Sequence, residues 1–379
     1  MPTPLKTLAA LLLLSGCATP PPPPRVEQLS NAELDRRLQL ATHRAPGVVF
    51  GAIWRDGTTV LRAAGRADLR AGRDVTPAIP FAWFSLTKLF TATAVLQLSE
   101  QGRLDLDAPV SQYLPGIRLR RDGQEATVRQ LLAHTSGLRN PLPVTWIHLA
   151  GEAGPGLDEM IRRRVGSAPK LASVPGTKSA YSNLGYLLLG RIIERVSGLP
   201  YQTYVEEHVL APLGCHASGF AVPGDRATAY QKKWTFTGLA ARWMVGRRFI
   251  GGTVDGYWEL RPFTVDGAPY GGLSGPAEDL LRFGLMILRE GEGEQGRVLS
   301  PASVRMMLQA TPTRDGQPTS VGLAWHLGSI DGEPCFMHDG GGGGYRAELR
   351  IYPNRGCAVA VLANETSFST RELARVVVR

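Results

Sequence analysis

The chain has 379 residues, 43% hydrophobic and 20% charged, with 42 basic against 33 acidic residues and a formal charge of +9. This is a globular composition, long enough for one large domain or two subdomains around a substantial core. The positive charge comes from scattered arginines, with no long like-charged run and no nucleic-acid motif. It therefore reads as a basic solvated surface rather than a nucleic-acid interface.

The chain opens with "MPTPLKTLAALLLLSGC". The apolar stretch Leu8–Leu14 is too short to span a bilayer as a helix and fits a secretory signal. Leu14-Ser15-Gly16-Cys17 resembles the lipobox of bacterial lipoproteins. The resemblance implies a signal peptide over 1–16, lipidation of Cys17, and a membrane-anchored body outside the cytoplasm, on the periplasmic side. The proline run that follows makes 17–29 a stiff extended spacer, and the globular body covers 30–379.

Ser30-x-x-Glu33 is a capping box opening a helix with Leu34 and Leu38 on one face. "GVVFGAIWRDGTTVLRAAG" reads as two strands joined at Asp56-Gly57, a strong hairpin signal. A helix follows over Ser85–Gln101, stopped by Gly102, and Thr127-x-x-Gln130 caps a short one ending before "HTSGL". Further helices are expected over Leu184–Val196, Gln202–Leu210 and Pro276–Arg289. Between them, "QKKWTFTGLAARWMVGRRF" (231–249) mixes tryptophans with basic residues. It reads as an amphipathic insertion packed on the body, with a membrane-surface segment or a pocket lid as alternatives.

From "VGLAWHL" onward the pattern returns to strands, over 321–327, about 335–338, 345–352 and 357–363, with a last helix over Ser369–Val378. Strands at both chain ends and helices between them predict an α+β fold. An antiparallel sheet is built from both termini (about 30–84 and 300–379) and flanked by helices, with a mostly helical subdomain (about 85–299) inserted. Three cysteines remain in the body, Cys215, Cys335 and Cys357. Cys335 and Cys357 would lie on the first and third strands of a meander, about 9–10 Å apart, beyond disulfide reach. No CxxC or HExxH spacing supports a metal site, and no cofactor is called for.

The strongest local signal is "FSLTKLF". Ser85 reads as an N-cap, but the third position carries Lys88 where a capping box wants Glu or Gln. A cation in the first turn also opposes the helix dipole. At i and i+3 the two side chains share a face. A partly buried lysine there has its neutral form favoured, and neutral lysine can take the proton of a serine nucleophile. The second signal is "SAYSNLGY", with Tyr181 and Asn183 just before a helix. The third is "HDGGGGGYRAELR", in which five glycines follow His338-Asp339 and lead into a strand. It lacks the ending and the strand–loop–helix context of a phosphate-binding loop.

In the order S-x-x-K, Y-x-N and H-x-G, these motifs resemble the class C β-lactamase and penicillin-binding-protein-like serine hydrolases. "LDLDAPVSQYLPG", "VRQLLAHTSGL", "PYGGLSGPAEDLLRF" and "AVAVLAN" are further phrases similar to that family. The resemblance spans roughly residues 30–379 and implies the serine β-lactamase/DD-peptidase fold. It implies Ser85 as the acylated nucleophile, Lys88 as its proton partner and Tyr181 as a second acid and base. It makes Asn183 a substrate-orienting amide, puts His338 where many relatives carry the lysine of K-T-G, and matches Gly340 to that motif's glycine. Gly341 and Ser85 would donate the oxyanion N–H groups.

Two departures follow. Histidine replaces the lysine, with an ordinary pKa near 6.5 that would add pH dependence around neutrality. Asp339 stands where a hydroxyl often holds a substrate carboxylate, and would repel one unless turned toward Arg346. The reading is a serine acyl hydrolase acting on an ester or amide: an esterase, a D-amino-acid peptidase or a weak β-lactamase. The alternative is a non-catalytic lipoprotein of the same fold that binds peptidoglycan or a protein partner.

Overall fold

The computed structural model describes residues 27–140, 146–221, 223–234, 246–330 and 332–378. Cys17 and its leader lie outside them, as do residues 235–245 of the basic aromatic stretch. Strand β1 (Glu27–Leu29) leads into helix α1 (Asn31–Ala41), where the Ser30 hydroxyl accepts the Glu33 amide at 3.3 Å. The Glu33 carboxylate turns to Arg36 and Arg37 instead of closing the box. Strands β2 (Gly47–Trp54) and β3 (Thr59–Asp68) form the expected hairpin. Gly57 takes the positive φ, +94°, that such a turn requires. After the short strand β4 (Arg73–Asp74) come helices α2 (Thr87–Glu100), α3 (Asn183–Ser197) and α4 (Ala277–Leu288). The chain closes with β5 (His326–Ile330), β6 (Glu333–Gly342), β7 (Tyr345–Tyr352), β8 (Cys357–Ala363) and β9 (Val376–Val378).

Seven strands form one antiparallel sheet in the order β5-β6-β7-β8-β2-β3-β4. The two chain ends thus meet at its centre, where β8 pairs with β2. Both of these strands are near-continuous apolar runs because both of their faces are covered. Alternation then divides their side chains between two cores. Val48, Phe50, Val359 and Val361 pack with Leu34 and Leu38 of α1. Val49, Ile53, Ala358 and Ala360 pack with α4 and the helical body. Cys335 and Cys357 stand on β6 and β8, with β7 between them, as the meander arithmetic requires.

Two expectations fail. Residues 321–325 are not strand; only His326–Ile330 is. The Leu323 and Ala324 amides are used by the Met307 and Leu132 carbonyls, and Ala324 sits at φ +70°. The final helix is absent from 369–378. A single 3-10 turn (Leu373–Arg375) precedes β9, which pairs in parallel with β1. Three consecutive valines favour an extended chain, and the start of the chain offers them a partner. The last residues of the expected spacer are accordingly strand.

One irregularity of the sheet positions the site. β5 pairs with β6 only over Glu333–Met337, so His338–Gly342 are paired on the β7 side alone. The remaining edge of β6 packs against the turn that carries Ser85.

Helix α4 approaches the sheet closely. A Cβ built on Gly284 would lie 2.7 Å from the Ala358 Cβ. Gly284→Val should therefore lift α4 from β8 and cost about 1–3 kcal/mol by overpacking. The urea midpoint, with unchanged slope, measures it.

Candidate active site

The turn bearing Ser85 is fixed before the helix begins. Phe81–Ala82 pairs with Ser274–Gly275. The Trp83 amide donates to the Leu273 carbonyl at 3.0 Å and its indole N–H to the Gly275 carbonyl at 3.0 Å. Phe84 then adopts φ +48°, a conformation that costs a bulky residue about 1–3 kcal/mol. Ser85 follows in a 3-10 turn, Phe84–Leu86, and no side chain caps α2. The N-cap reading of Ser85 thus gives way: its hydroxyl is engaged elsewhere.

Lys88 and Tyr181 both reach it. The Lys88 Nζ lies 3.0 Å from Ser85 Oγ and donates to the Tyr270 carbonyl at 2.9 Å. The Tyr181 hydroxyl donates to Ser85 Oγ at 2.6 Å. Lys88 is fully buried under the rings of Tyr181, Tyr186 and Tyr270, with its Nζ 4.8–5.5 Å from their centroids. Burial drives its pKa well below the ordinary lysine value, and the Asp339 charge opposes this only in part. Desolvation likewise raises the Tyr181 phenol, so it stays protonated and donates. Ser85 therefore sits between an amine whose uncharged, proton-accepting form is favoured and a protonated phenol that can supply a proton.

Asn183 is the first residue of α3, which Ser182 caps through the Gly185 amide. The Asn183 backbone amide donates to Asn140 Oδ1 at 2.7 Å, and its own Oδ1 is buried with no partner among the described residues. His338 is buried, and its Nδ1 donates to the Asp339 carbonyl at 2.8 Å. That bond leaves Nε2 as the unprotonated nitrogen, and it too has no partner among the described residues. Burial beside Lys88 and His326 pushes the His338 pKa well below its ordinary value. This corrects the expectation of titration near neutrality: the imidazole is neutral there. Asp339 is half-exposed and lies 3.8 Å from Arg346, so its charge is turned toward a partner.

The glycines of β6 are required by contact. A Cβ on Gly340 would fall 2.0 Å from the Trp83 carbonyl oxygen and 3.0 Å from the Ser85 nitrogen. Gly342, Gly343 and Gly344 have φ of +145°, +47° and +90° and turn the chain into β7. A cleft of about 150 Å³ opens beside Ser85, Asn183 and Gly341–Gly343. Its other walls are Phe84, Trp146, Ile147, Val265 and Tyr270. An apolar slot beside a serine and two candidate backbone donors suits a small acyl group.

Three contributors were missed by sequence reasoning. The Tyr270 carbonyl that anchors Lys88 is a backbone atom with no sequence signal. His326 lies with its ring centroid 5.4 Å from that of His338, tilted by 46°, and was submerged in an apolar run read as strand. His134 lies against Tyr181 with ring centroids 4.6 Å apart; its "HTSGL" phrase was noted without a role.

Comparison with known proteins agrees with this architecture. The Beta-lactamase family model matches residues 31–378. Penicillin-binding protein 4 of Amycolatopsis lactamdurans is 32% identical over 346 residues, covering 86% of this chain and 84% of that protein. Esterase EstB of Burkholderia gladioli is 40% identical over 171 residues, 42% of this chain and 43% of that one. Among solved structures, the D-amino acid amidase of Ochrobactrum anthropi SV3 superposes with a TM-score of 0.73 at 23% identity, over 90% of this chain and 94% of that one. That likeness speaks for the fold.

Two outcomes test the geometry. Gly340→Ala should push β6 off the Ser85 turn and slow fluorophosphonate labelling by about 10²-fold, with an unchanged circular dichroism spectrum. Lys88 binds its proton less readily folded than unfolded, so stability should rise with pH from its depressed folded pKa up to the ordinary value of 10.5. Lys88→Met should flatten that rise in urea titrations and abolish labelling.

Proposed function

We propose, since the chain belongs to the β-lactamase family of serine hydrolases, that it hydrolyses a small ester or amide through an acyl-enzyme on Ser85. The observation that carries this is the double engagement of Ser85 Oγ, by the buried Lys88 amine at 3.0 Å and the Tyr181 phenol at 2.6 Å. Ser85 Oγ attacks the carbonyl carbon while its proton passes to Lys88 Nζ. The N–H groups of Ser85 and Gly341 receive the developing oxyanion. As the tetrahedral intermediate collapses, Tyr181 gives its proton to the leaving group and regains one from Lys88. Water then attacks the acyl carbon, its proton returns through the same pair, and Ser85 is released with its hydrogen. Asn183 supplies an amide for orienting the substrate, and neutral His338 supports the back of the site.

The substrate reading rests on charge. The groups at Ser85 are neutral, and Asp339 offsets Arg346. These favour a neutral ester or amide over a substrate with a carboxylate at the scissile bond. The esterase name of one relative and the amidase name of a structural neighbour lie on the same side. The lipobox reading places this activity on a membrane-tethered protein outside the cytoplasm. Palmitate labelling that disappears in Cys17→Ala is the outcome expected of that anchor.

Intact-mass measurement with a fluorophosphonate should show one adduct that Ser85→Ala lacks, and with a penicillin a slower one or none. No adduct from either reagent would favour a binding protein. Asp339→Thr frees Arg346 and should raise kcat/KM on a carboxylate-bearing ester about two- to fivefold relative to its methyl ester, the range of an exposed ion pair. No relative change would refute the charge reading.

A further inference from the structure

Tyr181 precedes α3 rather than belonging to it, and 39% of its surface is exposed. Helix geometry does not hold its hydroxyl on Ser85, and its ring is only partly covered. What holds the segment is a set of contacts from one loop, 134–140. His134 grips the residues on either side of Tyr181. Its carbonyl accepts the Ala180 amide at 2.8 Å, and its Nδ1 accepts the Ser182 amide at 3.1 Å. Its ring packs on the Tyr181 ring at 4.6 Å and on Tyr186 at 5.2 Å. Asn140 takes the alternate positions, donating to the Tyr181 carbonyl at 3.4 Å and accepting from the Asn183 amide at 2.7 Å.

The loop is itself anchored. Thr135 donates to Gln130 and accepts from Gly176, both at 2.8 Å, while Gly137 accepts Ala172 at 2.8 Å. His134 is 3% exposed and sits at φ +58°, a left-handed conformation that is uncommon outside glycine but that histidine adopts more readily than most residues.

We propose that His134 is a positioning residue for Tyr181, and that it acts by aiming the phenol at the leaving group. The inference rests on the Ser85 hydrolase reading. Acceptance of the Ser182 amide requires an unprotonated Nδ1. Burial beside Lys88 and His326 keeps the imidazole neutral, as this needs. The proton therefore stays on Nε2, and the clamp persists through the working pH range.

In acylation, the step that kcat/KM reports, a misaimed Tyr181 harms only reactions whose leaving group needs a proton. Ethyl butyrate and p-nitrophenyl butyrate share one acyl-enzyme, but ethoxide must be protonated to leave and p-nitrophenolate need not be. In His134→Phe the ring contact survives and the Ser182 amide loses its acceptor. kcat/KM for the ethyl ester should fall about tenfold or more, part of the range of a general acid. That for the p-nitrophenyl ester should change by less than about threefold, because the general-acid term is absent there. His134→Asn places an oxygen near the Nδ1 position and tolerates the left-handed backbone, so it should restore the wild-type ratio. If His134→Phe does not fold, His134→Gly takes its place with the same split expected. Equal losses on both esters, or a selective loss in His134→Asn, would overturn the clamp. Turnover that survives in Ser85→Ala would instead overturn the hydrolase reading beneath it.

Discussion

The structure depends on the burial of one amine. Lys88 is buried on the first turns of a helix that is itself buried along nearly all of its length. A lysine ammonium in that place would lose its hydration without a counter-ion in contact. The protein responds with two hydrogen bonds, to Ser85 Oγ and the Tyr270 carbonyl, and with three aromatic rings around the nitrogen. These partners suit an amine that gives one hydrogen to a carbonyl and offers its lone pair to a hydroxyl. The desolvation that makes the residue expensive to fold is what favours its uncharged form.

That demand extends outward. The Tyr270 carbonyl must face inward, and it does so from a short helix, Ala268–Gly271, packed on α2 and α3. Ser85 must stand at a fixed distance from Lys88, and the strained Phe84 sets the turn that places it. The open edge of β6 must lie against the turn that carries Ser85. Only a glycine at 340 lets the strand lie on the Trp83 carbonyl. Each element is ordinary alone, and what joins them is a separation of a few ångströms between a helix turn and a strand edge.

Much of this could be read from the residues before any coordinates. The paired apolar runs of β2 and β8 and the Asp56-Gly57 turn signal a sheet made from both ends. Ser85 and Lys88 at i and i+3 signal a shared helix face. What escaped reading is long-range by nature. Val376–Val378 take a strand because β1 lies beside them, and nothing local in either segment names the other. His326 was absorbed into an apolar run whose first residues serve as a turn bonded to distant carbonyls. The His338 reading erred for a similar reason. Its ordinary pKa is a property of imidazole in water, and burial beside Lys88 moves it far down.

The histidines complete the electrical picture. His134 accepts at Nδ1 and keeps its proton on Nε2, whereas His338 donates at Nδ1 and keeps a lone pair on Nε2. Both Nε2 atoms are buried and have no partner among the described residues, so the site holds one spare donor and one spare acceptor near Lys88. A chain with a formal charge of +9 thus places neutral groups around its candidate nucleophile. Its nearby cation, Arg346, lies 3.8 Å from Asp339. Attraction by charge cannot then be the main source of selectivity at this cleft. What remains at the cleft is its apolar walls around Trp146, Ile147 and Val265 and the Asn183 Oδ1, which has no partner among the described residues. On the proposed hydrolase reading, such features would reward a substrate that fills a small slot and brings one hydrogen-bond donor with it.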